Sequence, residues 1–211
     1  MRLLLTSFEP FAGLTQNSSL EIGKAIAGTR FDAVNLDWLV LPVVKDVCFE
    51  ITWKRVKSFK PDVVLALGQA DGAAAMQIEQ LAVNVNDFEI PDNGGNQPRH
   101  ECIVKNGPAA IFTSFPPKEL VCRLAAEGVP VKRSYSAGTY VCNHLLYRLL
   151  HGSRRTRSGL RVGFIHLPLL PGQRGRRPRP KGAPMAETMV AGLRRCIELY
   201  ANSSGELTRR K

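Results

Sequence analysis

Short apolar runs alternate with amphipathic segments along the chain, and this order predicts strands that alternate with helices. Strands are expected where β-branched and other apolar residues cluster between turn-forming residues. The runs that fit are RLLLTS, FDAVNLDWLVLP, DVVLALG, IEQLAVNVND, PVKRSYS and RVGFIHLPLLP. After its aspartate, DVVLALG carries no charge, which is typical of a strand buried on both faces of a sheet.

Helices are predicted where apolar residues recur every three or four positions. The first is expected to be capped by Ser18 or Ser19 and to end near Ala27. The others are VVKDVCFEITWKRVKSF, residues 117–127, CNHLLYRLLHG and a last helix from about Pro184 to Ala201. Their expected buried residues are Val44, Val47, Cys48, Ile51 and Val56, then Leu145, Leu146, Leu149 and Leu150, and finally Met185, Met189, Leu193 and Cys196.

This order of elements implies a three-layer α/β/α sandwich around a mostly parallel, mixed sheet. A chain of 211 residues is long enough for one domain with a sizeable core and short for two. We therefore expect a single domain over residues 1–211.

The composition is that of an ordinary globular protein, with 44% apolar and 22% charged residues. No apolar run approaches the roughly 20 residues that cross a bilayer, so no membrane contact is expected. The N-terminus MRLLLTSFEP has too short an apolar stretch for a secretory signal. These observations predict a cytoplasmic protein.

The cysteines are five in number and far apart, without a C-x-x-C spacing. This pattern argues against a disulfide framework and a zinc site, so neither a metal nor a cofactor is expected. Four of the five are expected to be small apolar residues in a reducing compartment.

The net charge of +11 is concentrated in one part of the chain. Between Arg148 and Lys181 there are ten Lys and Arg residues and no Asp or Glu. They predict solvated surface loops at about 152–161 and 172–183, and residues 202–211 are expected to form a mobile tail. The alternative is a patch for acidic peptides or nucleic acid, but aromatic residues that would stack on bases are absent there, so nucleic acid is not expected.

Four segments fall where open α/β sheets bind ligands, at the carboxyl ends of strands. They are TSFEPFAG, LGQADG, TYVCNH and FIHLP. Cys142 stands at the expected N-terminus of a helix, where the helix dipole favours a negatively charged sulfur and the backbone N–H groups can hold an oxyanion. Cys142 is therefore either a nucleophile or a buried structural cysteine.

Two histidines could act as a base beside this cysteine. His144 is close in sequence, but two helical positions rotate a side chain by about 200°, so it is expected to be structural. His166 lies near the carboxyl end of an apolar strand, and it is either the base or a core histidine bonded to a carbonyl. A base of this kind needs an orienting acid, for which the residues alone leave open Glu9, Glu79, Asp87 and Asp92.

Together these segments resemble pyroglutamyl peptidase type I, also called pyrrolidone-carboxylate peptidase, a family of cytoplasmic cysteine peptidases. The matching stretches are TSFEPFAG, Asn17, PDVVLALGQADG, the region from Glu79 through AVNVNDFEIPDN, GNQP, GPAA, SAGTYVCNHLLYRLLH and GFIHLPLLPGQ. Because they are spread over most of the chain, they are far more specific than one short motif.

The resemblance implies that Cys142 is the nucleophile, His166 the general acid and base, and Glu79 the acid that orients the imidazole. The implied reaction removes an N-terminal pyroglutamyl residue from a peptide through a thioester. The implied partners are such peptides, and the family often forms homotetramers.

Residues around the substrate are also implied by the resemblance. Phe8 and Phe11 match residues that pack on the lactam ring, Asn17 matches one that binds the lactam carbonyl, and backbone groups near Ala70 and Asp71 meet the lactam N–H and carbonyl. The remaining implied positions of the pocket are Gln69, Ile90, Tyr140 and Val141.

The chain departs from the family pattern at several positions. Glu89 and Ala73 stand where the family usually has arginine, Ser7 and Ala12 replace glycines, and Ser18 replaces a proline. We expect weaker transition-state stabilisation or a stiffer entrance loop, and hence reduced activity.

Two alternatives to this function stay open. The chain could be a non-enzymatic module that binds acidic partners through its basic loops, or a cysteine amidase that acts on another cyclic or small acyl group. Both are consistent with the same candidate site or the same charge pattern.

Overall fold

The fold is described by a computed structural model for residues 1–115, 118–156 and 159–207. The strands are β1 Arg2–Phe8, β2 Asn35–Leu41, β3 Val63–Gln69, β4 Met76–Glu79, β5 Leu81–Val83, β6 Ala110–Phe112, β7 Val131–Ser134 and β8 Arg161–Leu167. The helices are α1 Ser18–Ala27, α2 Val47–Phe59, α3 Lys118–Ala126, α4 Val141–Thr156 and α5 Ala186–Leu207.

The main sheet has six strands in the order β2-β1-β3-β8-β4-β7, and β5 pairs with β6 in a separate two-stranded sheet. All neighbours in the main sheet are parallel except β4 and β8. The connection at residues 70–75 between β3 and β4 is too short for a crossover helix, so β4 returns in the opposite direction. This reversal brings β4 beside the end of β8.

Two apolar cores lie on opposite faces of the main sheet. On one face, α1, α3 and α5 pack on side chains such as Leu3, Leu65 and Ile165. On the other, α2, α4 and the β5–β6 pair pack on side chains such as Leu4, Val64 and Val162. Alternate residues of one strand thus face different cores, as the pleat requires. The predicted three-layer sandwich with a mostly parallel, mixed sheet is confirmed.

The stretch IEQLAVNVND was predicted to be one strand, but it contributes to two. β4 ends at Glu79 and β5 begins at Leu81, and the two belong to different sheets. Gln80 lies between the two strands and is bonded towards both sheets. Its N–H donates to the carbonyl of Ser134 at the end of β7, and its carbonyl accepts the N–H of Thr113, which follows β6. The break therefore leaves Glu79 at a strand end.

The cap of α1 is Asn17, so the predicted Ser18 or Ser19 cap was wrong by one or two positions. Asn17 has extended backbone angles, and its Oδ1 accepts the N–H of Ser19 at 2.9 Å. Asparagine is among the best N-cap residues because its side-chain oxygen satisfies an otherwise unpaired N–H.

The buried face of α2 differs from the prediction. Cys48 is fully buried, whereas Val47 and Ile51 are exposed. Two aromatic side chains of α2 account for the difference. Trp53 packs on Gly152 of α4, and Phe49 stacks on Trp53 with ring centroids 5.5 Å apart. These large rings turn α2 so that the smaller apolar residues face outward.

Several predicted boundaries also differ. α4 extends through Thr156, so the predicted loop at 152–161 begins as helix, and its residues 157–158 lie outside the described part of the chain. α5 continues to Leu207, well into the predicted tail, of which residues 208–211 are not described. Met185 precedes α5 and is exposed, while Met189, Leu193 and Cys196 are buried as predicted. No helix in the described ranges is long and apolar enough to span a membrane.

Gly163 offers a test of how tightly β8 is packed. A Cβ at this position would lie 1.9 Å from the carbonyl oxygen of Phe115, which is backbone and cannot rotate away. We expect Gly163→Ala to lower the free energy of unfolding by about 1–3 kcal/mol or more, measured by urea denaturation.

The matched control is Gly28→Ala, since a Cβ there would meet its nearest neighbour at an ordinary 3.6 Å. Equal stability of the two variants would show that the approach of Phe115 to β8 does not constrain the sheet.

Candidate active site

Cys142 lies in the first turn of α4, as the sequence predicts. The loop before it turns at Gly138, whose φ is 75°, and is tied to the neighbouring chain because Thr139 Oγ1 donates to the carbonyl of Asp87 at 2.8 Å. The sulfur lies above the backbone of β3, where a Cβ on Gly68 would be 3.0 Å from Cys142 Sγ. The absence of a side chain at Gly68 is therefore what leaves room for the thiol.

His166 lies beside this position on the next strand. In the register of β3 and β8 it is the partner of Gly68, which places its ring next to the sulfur. Gly68 thus brings the two groups together, because it pairs with His166 and lies under Cys142 Sγ. A thiol and an imidazole in this relation form the nucleophile and base of a cysteine hydrolase.

Glu79 supports His166 from β4. It is fully buried, and its Oε1 is 2.8 Å from Nδ1 of His166, which leaves Nε2 of the ring for the sulfur. Its other oxygen, Oε2, has no hydrogen-bond partner among the described residues. The buried charge of Glu79 is therefore directed mainly at the imidazole.

The electrostatics of His166 follow from these contacts. Burial lowers the pKa of His166, but its interactions with Cys142 and Glu79 outweigh burial and raise the pKa to about 10. The imidazole therefore keeps its proton near neutral pH.

His144 points away from Cys142, in agreement with the helical geometry. Its Nε2 accepts the N–H of Asp46 at 3.2 Å, and its Nδ1 is 3.1 Å from Asn86 Oδ1. The carboxylate of Asp46 is also near, but burial dominates and lowers the pKa of His144 to about 4. The ring is therefore neutral and ties α4 to the loops around it.

The other candidate acids have different partners. Asp92 accepts the N–H groups of Lys45, Gly94 and Asn96. Glu9 accepts from the side chain of Asn93, and Asp87 lies 3.8 Å from Arg99. Of the four acids that the sequence left open, Glu79 is the one bonded to His166.

A cavity of about 410 Å³ opens in front of Cys142 and His166. Most of the positions implied by the family resemblance line it, namely Phe8, Phe11, Asn17, Gln69, Ala70, Asp71, Tyr140 and Val141. Tyr140 donates its hydroxyl to the carbonyl of Pro91 at 3.0 Å, and burial raises its pKa to about 12. Tyr140 therefore acts as a wall rather than as a proton donor to substrate.

Other wall residues were not foreseen as functional. They are Val43, Gln77, Ser136, Ala137, Gly138 and Arg177. Ser136 to Gly138 belong to the quoted stretch SAGTYVCNH, and Gln77 is the register partner of His166 on β4. A signal for residues 136–138 was thus present in the sequence, whereas Gln77 is identified by its pairing in the sheet and Arg177 was expected in a solvated loop.

Gln69 connects three parts of the cavity wall. Its Oε1 accepts the N–H of Ser18 and the side chain of Gln173, at 3.0 and 2.5 Å, and its Nε2 donates to Asp71 Oδ1 at 2.9 Å. Gln173 is buried and also donates to the carbonyl of Gln16. Gln69 was predicted to line the site, whereas Gln173 was not. Through its bond with Gln69, Gln173 connects the basic loop at 172–183 to the cavity wall.

Of the backbone N–H and carbonyl of Ala70, only the carbonyl can form a further hydrogen bond with a substrate. The N–H of Ala70 already donates to the carbonyl of Leu167, so it cannot meet a substrate carbonyl. The carbonyl of Ala70 accepts from Ala73 at 3.2 Å and has a second lone pair. Asn17 is similar: its Nδ2 donates to the carbonyl of Glu9 at 2.9 Å, which leaves its second N–H for a ligand.

Ile90 and Glu89 lie next to this cavity, not in the wall that holds Cys142. They line an adjoining cavity of about 400 Å³. Phe11 and Tyr140 border both cavities. Glu89 Oε2 is 3.3 Å from Arg176 Nη1, so its charge has a partner. Among the other departures, Ala12 has a φ of 54°, a conformation that favours glycine and fits a stiffer entrance loop.

All five cysteines are free. Cys48 and Cys196 are buried, and burial raises the pKa of both thiols. Cys102 and Cys122 are exposed, so these two thiols do not contribute to the apolar core. In the described part of the chain, no group of three or more His, Cys, Asp or Glu side chains is arranged around a metal position.

Comparison with known proteins places this site in a family of hydrolases. Residues 1–203 match the family model of pyroglutamyl peptidases. The chain is 41% identical to the pyrrolidone-carboxylate peptidase of Chromobacterium violaceum over 93% of its length and 91% of that protein, and 42% identical to that of Bacillus licheniformis over 92% and 89%. The crystal structure of pyroglutamyl peptidase I from Bacillus amyloliquefaciens superposes with a TM-score of 0.88 at 35% identity, covering 95% of this chain and 97% of that one.

The chain therefore belongs to the pyroglutamyl peptidase family, as the sequence predicts. This family is one of cysteine-type peptidases. Neither of the two alternative functions is supported by these similarities.

The support of His166 by Glu79 can be tested directly. Glu79→Gln removes the negative charge that raises the pKa of His166 while keeping the size of the side chain. We expect the pKa of His166 to fall well below about 10, measured by NMR titration of the labelled imidazole.

Glu9→Gln is the control, because Glu9 bonds to Asn93 rather than to the imidazole. An unchanged titration of His166 in Glu79→Gln would contradict the orienting role of Glu79.

Proposed function

We propose that the protein is a pyroglutamyl peptidase that removes an N-terminal pyroglutamyl residue from peptides. The observation that carries the proposal is that Cys142 and His166 line one cavity with aromatic sides, while the buried Glu79 bonds to the imidazole from behind. Membership of the pyroglutamyl peptidase family indicates that the acyl group on which these residues act is pyroglutamyl.

Cys142 is the nucleophile in this proposal. Its sulfur attacks the carbonyl carbon next to the lactam ring, forms an S–C bond and drives the carbonyl electrons onto oxygen. The N-terminal turn of α4 lies beside the sulfur and offers N–H groups and a positive dipole end to that oxyanion.

His166 moves the protons in both halves of the reaction. As imidazolium, it gives a proton to the departing amine when the C–N bond breaks, which leaves a thioester on Cys142. As neutral imidazole, it then takes a proton from water, whose oxygen bonds to the acyl carbon of the thioester. The S–C bond breaks, its electrons return to the sulfur of Cys142, and pyroglutamate is released. Glu79 holds Nδ1 throughout, so that Nε2 always faces the reacting atoms.

The lactam is recognised by apolar walls and a few polar groups. Phe8 and Phe11 border the ring, and Phe11 lies 6.1 Å from the ring of Tyr140. The free N–H of Asn17 suits the lactam carbonyl, and the carbonyl of Ala70 suits the lactam N–H. Buried groups of this kind reject an analogue without the matching polar atom by roughly 10⁴-fold.

The remaining parts of the sequence prediction stay proposals. We expect one catalytic domain, a homotetramer and a cytoplasmic location. Exposed apolar side chains such as Val47 and Ile51 offer surface for contacts between copies, and the exposed thiols of Cys102 and Cys122 suit a reducing compartment.

The main test is hydrolysis of a pyroglutamyl amide that carries a chromophore. We expect cleavage by the parent protein, loss of at least about 10³-fold in kcat/KM for Cys142→Ser, and inactivation by a thiol alkylator. Cys122→Ser is the matched control, since Cys122 is an exposed thiol on α3.

The corresponding prolyl amide, which lacks the lactam carbonyl, should be refused. Equal cleavage of both amides, or full activity of Cys142→Ser, would contradict the proposal. Preference for another lactam over pyroglutamate would favour the cysteine amidase alternative.

Glu89 gives a second test, of the expected reduction in activity. Glu89→Arg restores the charge usual in the family, so we expect a higher rate on the same pyroglutamyl amide. Because Arg176 already partners Glu89, and the Glu89 side chain is 77% exposed, the increase should be within about tenfold. An unchanged rate, together with a parent rate equal to that of a relative such as the Bacillus amyloliquefaciens enzyme, would show that Glu89 does not weaken catalysis.

A further inference from the structure

The cavity that adjoins the active site extends the space available to substrate. It measures about 400 Å³ and does not include Cys142 or His166 in its wall. A peptide held with its acyl carbon at Cys142 must continue away from these residues, and the adjoining cavity is contiguous with the first. The residues that border both are Phe11, Gln69, Asp71, Gly138, Tyr140 and Arg177.

The charges around this second cavity are unevenly paired. Asp71 accepts from Gln69 and from the N–H of Arg176, and Glu89 lies 3.3 Å from the guanidinium of Arg176. Asp87 lies 3.8 Å from Arg99 and 3.6 Å from the ring of His100. Each acid in the wall therefore has a partner.

Arg177 differs from these groups. Its guanidinium has no hydrogen bond or ion pair with any described residue, although it borders both cavities. It is also close to the turn after β3, since a Cβ on Gly72 would lie 3.6 Å from its Cβ and Cδ. An arginine in this position presents an unused set of donors where the two cavities meet.

The loop that carries Arg177 is fixed to the wall of the active site. Gln173 is buried and bonded to Gln69, and the N–H of Arg176 donates to Asp71. Between them, Gly175 lies so close that a Cβ would be 2.5 Å from Asp71 Oδ2. The position of Arg177 is thus set by a glycine and two polar anchors, although its side chain reaches solvent.

We propose that Arg177 binds a carboxylate on the leaving-group side of the scissile bond, so that the protein prefers pyroglutamyl peptides with a negative charge there. The carboxylate is either the side chain of an acidic residue after pyroglutamate or the terminal carboxylate of a pyroglutamyl dipeptide. This inference rests on the proposed peptidase function. A guanidinium suits a carboxylate because its donors match the two oxygens.

The experiment compares matched pairs of substrates by kcat/KM at low salt. One pair is pyroglutamyl-glutamate amide and pyroglutamyl-glutamine amide, which differ in side-chain charge and have nearly the same size. The other is pyroglutamyl-alanine with a free carboxylate and its amide. We expect a preference of about fivefold to tenfold for the charged member of at least one pair, mostly through KM. The pair that shows it identifies the source of the carboxylate.

Variants assign the preference to one side chain. Arg177→Gln should remove it, and Arg177→Lys should keep part of it. Arg154→Gln, an exposed arginine in the last turn of α4, is the control and should leave the ratio unchanged. The preference of the parent should also weaken at high salt.

Three results would overturn the inference: equal rates within both pairs, a preference that survives Arg177→Gln, or faster cleavage of a pyroglutamyl-lysine amide than of the glutamine amide. Hydrolysis of the neutral pyroglutamyl-alanine amide by the parent protein establishes the peptidase function in any of these cases. If no pyroglutamyl substrate is cleaved, the proposed function itself fails.

Discussion

The hydrogen bond between Glu79 and His166 is the interaction on which the rest of the site depends. A carboxylate without solvent contact is costly unless a positive partner offsets its charge, and the imidazole becomes such a partner only when it keeps its proton. Cys142 completes the arrangement, because its interaction with the imidazole also raises the pKa of His166. The protonated imidazole therefore depends on both neighbours, and removing either one lowers the pKa of His166.

This dependence explains why the fold must contain a reversed strand. Glu79 reaches the ring of His166 from β4, which runs antiparallel to β8 and pairs with it through Gln77 and Ile78. A parallel strand at this place would direct its carboxyl end to the same edge as His166. The reversed strand instead brings its acid to His166 from within the sheet, where water does not compete for it.

Much of this arrangement could be predicted from the chain. The apolar runs located the strands of the main sheet, and the position of Cys142 at a helix start and of His166 near a strand end could be inferred from local pattern. The choice among four acids could not, because it depends on the strand order β3-β8-β4, which no local pattern encodes. The buried face of α2 was mispredicted for a similar reason, because it depends on the packing of Trp53 against Gly152, a residue far away in sequence.

The basic loop illustrates how composition can mislead. Its many cations predicted a solvated segment, and several do face solvent, but Gln173 is buried in the network around Gln69. Arg179 likewise donates to the carbonyls of Leu169 and Ala183. A segment can thus carry the charge of a solvated loop and still have a defined path, because a few neutral or backbone-directed contacts are enough to fix it.

The surface beneath the nucleophile is the backbone of Gly68. The sulfur of Cys142 rests over main chain, next to the ring of Phe164, and main chain in a central strand has no rotamers to change. The height of the nucleophile is thus set by the spacing of a strand and a helix, whereas the rim is built from side chains that can be exchanged. Evolution or design can therefore retune which peptides enter by altering the rim, but one added carbon at the floor would displace the nucleophile from every substrate alike.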